Sequence, residues 1–133
     1  MRHLLSVLAL GCAALVTGCG GSDGLTETVL LKTGQPKTAD GGALTLRLDK
    51  FTDSRCPRNT TCVTAGAAVI DLTLTPAGQS ATTLQMTLSG AADAAKPTAT
   101  VGGYQIEFND IQPYPSSPVL TITDSEVTLV VRR

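Results

Sequence analysis

Three features of the 133-residue sequence predict an all-β fold, a single antiparallel β-sandwich. Apolar side chains alternate with polar ones in several short runs, the two-residue period of a strand with one buried face. Threonine recurs within those runs, and its branched Cβ fits a pleated strand better than a helix. Gly, Pro, Asp and Ser interrupt the runs at short intervals, as reverse turns between antiparallel strands require.

Taken in order, a first strand is expected near Thr28 to Lys32. Leu44, Leu46 and Leu48 alternate with Thr45, Arg47 and Asp49, and give a second strand, Leu44 to Lys50. A third, Ala67 to Thr75, sets Ile70, Leu72 and Leu74 against Asp71, Thr73 and Thr75. Leu84, Met86 and Leu88 repeat the pattern against Thr83, Gln85 and Thr87. The segment Ala91 to Thr100, biased to Ala, Pro and Thr, reads as a polar connection with at most one helical turn in Ala91 to Lys96. Strand character returns where Tyr104, Ile106 and Phe108 alternate with Gln105, Glu107 and Asn109. Leu120 and Ile122 suggest a short strand after Pro118, and Val127, Leu129 and Val131 a final one. About seven strands in roughly a hundred residues point to a sandwich resembling immunoglobulin-like modules, with a small barrel as the alternative.

The N-terminus carries a different signal. Arg2 and His3 precede an apolar run from Leu4 to Val16, too short at about thirteen residues to span a bilayer and suited to a signal peptide. Val16-Thr17-Gly18-Cys19 resembles the bacterial lipobox, in which an aliphatic residue and two small ones precede a cysteine that is lipidated and becomes the new N-terminus. Gly11-Cys12 is a weaker match, since cleavage there would leave too short an apolar core, and an ordinary secretory peptide is the alternative. The resemblance implies a signal peptide over residues 1–18 and a lipidated Cys19. Two or three acyl chains, at about 0.8 kcal/mol per buried methylene, make a stable anchor where one would not. Residues 19–24, with Gly-Gly-Ser-Asp-Gly after the cysteine, form a flexible tether, and residues 25–133 form one domain.

Of the four cysteines, Cys12 lies inside the apolar run and Cys19 ends it, which leaves Cys56 and Cys62 as a pair. In an exported chain such a pair reads as a disulfide, because the compartment oxidises thiols. A redox pair more often shows C-x-x-C, and a zinc site needs two further ligands nearby. Pro57 and Asn59 suit the tight turn that the bridge would close.

Loss of residues 1–18 would remove His3, the single histidine, and leave nine Lys and Arg against eleven Asp and Glu. A balance this near neutrality supplies no basic footprint for nucleic acid, and with tryptophan absent stacking platforms are scarce. Ser54, Ser116 and Ser117 have no histidine to activate them once the leader is gone. Asp49, Asp53, Asp71, Asp110 and Asp124 show no calcium-loop spacing and read as solvated strand ends. Asp53, Arg55 and Arg58, around Cys56, are the candidate binding residues: they form a charged recognition edge, or else cap the turn and pair locally. No metal or cofactor is expected.

Asp53-Ser54-Arg55-Cys56-Pro57, then Cys62-Val63-Thr64-Ala65-Gly66 and an apolar strand, resembles a signature of small exported bacterial proteins and lipoproteins of no established activity. The likeness continues as pattern through Gly103-Tyr104 and the segment Asp110 to Pro115 to the last strand. It departs at Thr64, where the family often has tryptophan. It implies a structural signature and brings no catalytic residue. The expected function is therefore a lipid-anchored bacterial envelope protein with a non-enzymatic interaction or structural role. The alternative is a small ligand-binding protein or protease inhibitor that presents the disulfide-closed 53–62 loop. Its expected partners are the membrane, through the lipid anchor, and an envelope protein; Gly20 after Cys19 favours the outer membrane, facing the periplasm.

Overall fold

The computed structural model describes residues 24–116 and 124–133. Eight strands run along these residues: β1 (Thr26–Leu31), β2 (Lys37–Ala39), β3 (Leu44–Asp53), β4 (Ala67–Pro76), β5 (Thr82–Ser89), β6 (Thr98–Val101), β7 (Tyr104–Gln112) and β8 (Glu126–Arg132). They form two four-stranded sheets, in the orders β1-β8-β7-β6 and β2-β3-β4-β5, with every named pair antiparallel. This is the expected sandwich: the ladders end at four strands each and do not close into one barrel. Connectivity is that of a meander, in which spatial neighbours are sequence neighbours and β1 returns to pair with β8.

The alternating leucines build the core. Leu44, Leu46 and Leu48 of β3 and Ile70, Leu72 and Leu74 of β4 are fully buried. They face Ile106 and Phe108 of β7 and Val127, Leu129 and Val131 of β8 in one apolar layer between the sheets. Arg47, between two of these leucines, is exposed, as the strand period requires.

Two strands exceed the sequence reading. β2 is three residues long, too short to show a period, and joins β3 through a turn in which Asp40, Gly41 and Gly42 all have positive φ, of 51°, 62° and 99°. That left-handed backbone is the reason for two glycines there. β6 occupies the end of the segment read as a polar connection and is tied to β7 by Gly102-Gly103, again at positive φ. Earlier in that segment only one reverse turn forms, closed by Ala94 N–H donating to the Ala91 carbonyl. The strand expected at Leu120 and Ile122 lies outside the described residues, as does the leader with Cys19.

Two bulges redirect side chains toward one end of the sandwich. β3 gains a residue between Leu48 and Lys50 relative to β4, and β7 gains one between Phe108 and Asp110 relative to β8. Past the first bulge the parity of β3 reverses, so Asp53 lies opposite the buried Ala68. An uninterrupted period would have turned Asp53 to solvent.

The strand registers also define two poles. Leu44 with Pro76, Tyr104, and Thr26 with Arg132 mark one. Asp53 with Ala68, Ala67 with Ser89, and Gln112 with Glu126 mark the other, which carries the disulfide loop. Gly24 lies against Arg133 at the first pole, and Arg133 N–H donates to the Leu25 carbonyl.

Candidate functional site

The disulfide pole is organised by one arginine. Arg55 is only 4% exposed. Its Nε donates to Asp53 Oδ1 at 2.9 Å and its Nη2 to Asp53 Oδ2 at 2.7 Å, a fork-on-carboxylate pair. Nη1 donates to Asp110 Oδ1 at 2.8 Å, and Nη2 also reaches the Ile111 carbonyl at 2.7 Å. The guanidinium carbon sits 4.3 Å from the centre of the Tyr114 ring, within cation–π range. Asp53 ends β3 of one sheet and Asp110 belongs to β7 of the other, so Arg55 clasps the two sheets together.

Both bulges serve this clasp: the first brings Asp53 to the inner side, the second sets the register that delivers Asp110 beside Ile111. Burial pushes the Asp110 carboxyl up, but donors from Gln112, Arg55 and the Ile111 N–H outweigh it and hold it below the usual carboxylate range. For Arg55 burial works against the charge, and the bonds to Asp53 and Asp110 override it, so its pKa is raised and it stays charged. Of the three residues read as a recognition edge, Asp53 and Arg55 therefore pair with each other in the interior. Arg58 alone stands exposed.

The loop from Ser54 to Gly66 is folded onto this arginine by backbone bonds. Ser54 N–H donates to the Ala67 carbonyl at 2.8 Å, Cys56 N–H to Ala65 at 2.9 Å, and Gly90 N–H to Gly66 at 2.9 Å. A side chain at Gly66, whose φ is +68°, would land on the Ser54 carbonyl oxygen, and one at Gly90 on that of Ala65. The final glycine of Cys-Val-Thr-Ala-Gly is thus a demand of geometry. Cys56 and Cys62 are bonded, as expected. Closing so small a ring contributes about 2 kcal/mol by restricting the unfolded chain. Beyond it the chain from Arg58 to Ala65 is exposed, with Val63 fully so.

Next to the loop lies a cleft of about 320 Å³, lined among others by Arg58, Lys96, Asp110, Gln112, Tyr114 and Leu88. Arg58 reaches over the Tyr114 ring at 5.0 Å, and its N–H donates to the Pro115 carbonyl. Lys96 Nζ donates to the Asn109 carbonyl at 2.8 Å. Sequence reading missed Lys96, Gln112 and Tyr114 as neighbours of the loop. Asp110, taken as a solvated strand end, is instead the cross-sheet partner of Arg55. The available signal was the segment Asp110 to Pro115, which stands out between two strand-like runs in the sequence.

At the opposite pole Tyr104 Oη donates to Asp40 Oδ2 at 2.7 Å, and Arg133 Nη1 donates to the same oxygen at 2.7 Å. These bonds, that from Tyr104 first, lower the Asp40 pKa. The cluster locks the β2–β3 turn onto the C-terminal residue. Among the described residues no group of three His, Cys, Asp or Glu side chains is placed to hold a metal ion, and no helix is long and apolar enough to cross a membrane. No family model, curated protein or solved structure matches the chain.

Proposed function

We propose that this chain is a lipid-anchored module of the bacterial envelope, attached through Cys19 and acting by non-enzymatic binding at its disulfide pole. The observation that carries the reading is the placement of the two ends. Gly24, where the tether joins the domain, lies beside Arg133 at one pole, and the loop with its exposed Val63 lies at the other. Ten-residue strands separate the poles by roughly 30 Å. A tethered domain of this form offers the loop outward, toward a soluble or envelope protein partner.

The alternative, a binding protein or inhibitor presenting the 53–62 loop, shares this pole and gains support from the loop's construction. The bridge between Cys56 and Cys62 and the buried Arg55 beneath hold the exposed segment in place, and a preorganised loop loses less entropy on binding. Photo-crosslinking in intact cells tests both. A photoreactive residue at Val63 is expected to give a discrete adduct, and one at Ala77, exposed at the opposite pole, is not. Equal labelling from both positions, or none from Val63, would refute a protein partner at the disulfide pole.

A further inference from the structure

The cleft beside the loop has an unbalanced lining. Its one carboxylate, Asp110, is fully engaged: Oδ1 accepts from Arg55 and from the Ile111 N–H, and Oδ2 accepts from Gln112 Nε2. The amide oxygen of Gln112 is taken as well, by the Tyr114 N–H. Arg58 and Lys96, by contrast, form no ion pair among the described residues, and both charges border the same space. Counting the buried partners, Arg55, Arg58 and Lys96 face Asp53 and Asp110, so the pocket carries one net positive charge. Asp93, in the turn after Ala92, is not among its lining residues. The acceptors are spent and the two cations keep donors to spare, while Leu88, Ala91 and Ala92 supply a small apolar wall.

We infer that this cleft binds an oxyanion, a carboxylate or phosphate group at the end of a larger molecule, held between Arg58 and Lys96 on the Tyr114 side of the disulfide loop. The guanidinium of Arg58 is stacked over Tyr114 and so offers its planar fork in a restricted orientation, which suits a two-oxygen acceptor. Lys96 supplies a second charge across the cleft. At about 320 Å³ the space admits a charged terminus and little more, near the lower limit of small-ligand sites. Half-buried Asp110 holds Arg55 and Gln112 in place, away from the incoming group.

This deepens the proposal of a binding pole and rests on it for the choice of surface. The test is titration of the full chain in a non-ionic detergent, followed by nitrogen-15 NMR, with inorganic phosphate and with N-acetyl-alanine at fixed ionic strength. Saturable shifts are expected at Arg58, including its side-chain N–H, and at Gly90 to Ala92 and Tyr114. Arg58→Gln with Lys96→Ala should weaken binding about tenfold and leave the signals of the core strands unchanged, since both side chains are exposed. Tighter binding of phosphate assigns the site to a phosphorylated ligand, and tighter binding of N-acetyl-alanine to a peptide C-terminus. Shifts that sodium chloride reproduces, that persist in the double variant, or that fail to appear with either probe would overturn the inference. An adduct at Val63 without an oxyanion response removes only the cleft chemistry, whereas an oxyanion response without an adduct removes only the protein partner.

Discussion

Arg55 illustrates how a residue that reads as surface becomes structural. A lone charge in this position would lose several kcal/mol of hydration, and the fold offsets that with two carboxylates, a carbonyl and an aromatic face. Arg55→Ala leaves Asp53 and Asp110 without their counter-charge and is expected to cost about 3 kcal/mol in urea unfolding, with Arg58→Ala near zero. Equal effects from the two would mean that Arg55 is no clasp. Gly66→Ala adds a steric conflict with the Ser54 carbonyl to a left-handed backbone, so it should destabilise by well over 1 kcal/mol. Gly41→Ala, also at positive φ but with open space around it, should cost about 1 kcal/mol. Acid sensitivity follows from Asp110, Asp49 and Asp40, all held below the usual carboxylate value. The unfolded chain protonates first as pH falls, so the stabilisation is complete above about pH 4 and is lost below it. The thermal midpoint should drop through that range, and Asp110→Asn should flatten part of the fall. A midpoint that rises on acidification would contradict this assignment.

Strands were legible wherever a run exceeded the length of two periods and kept one parity. β4, β5 and β8 do so throughout and β3 and β7 up to their bulges, and their inward leucines, isoleucines and valines form the core that alternation predicts. Leu46→Ala or Leu72→Ala should therefore cost about 2 to 5 kcal/mol, each side chain being fully buried, while Arg47→Ala and Asp71→Ala cost little. Comparable losses from all four would break the link between period and burial. β2 and β6 escaped the sequence because three or four residues carry no measurable period, and what defines them is the glycine turn at one end. The site was less legible for a related reason. Local sequence shows Asp53, Arg55 and the cysteine pair, but one-residue bulges decide which way Asp53 and Asp110 turn, and their trace in the apolar pattern is a single change of parity, from Leu48 to Phe51 and from Phe108 to Ile111. The long-range part of the cleft, with Lys96 and Tyr114, arises only when β7 of one sheet is laid over the loop that comes after β3 of the other.

At the scale of the whole molecule, two restraints act at opposite poles. One is the proposed lipid at Cys19, joined by a short Gly-rich tether to Gly24 beside Arg133; the other is any partner held at the disulfide loop. The proposed attachment would depend on the acyl chains. The described strands turn their apolar faces inward, and the larger exposed apolar side chains among the described residues are Leu30 and Val63, far less apolar area than two acyl chains would bury at about 0.8 kcal/mol per methylene. Cys19→Ser is therefore expected to release the domain from the membrane to the soluble fraction with its thermal midpoint unchanged, because the core is built from side chains between Val29 and Val131. Fractionation of cells with mass spectrometry of the N-terminus measures this directly. Wild-type protein in the soluble fraction with an unmodified N-terminus, or Cys19→Ser that still sediments with membranes, would refute lipid anchoring and with it the reason for facing the loop outward.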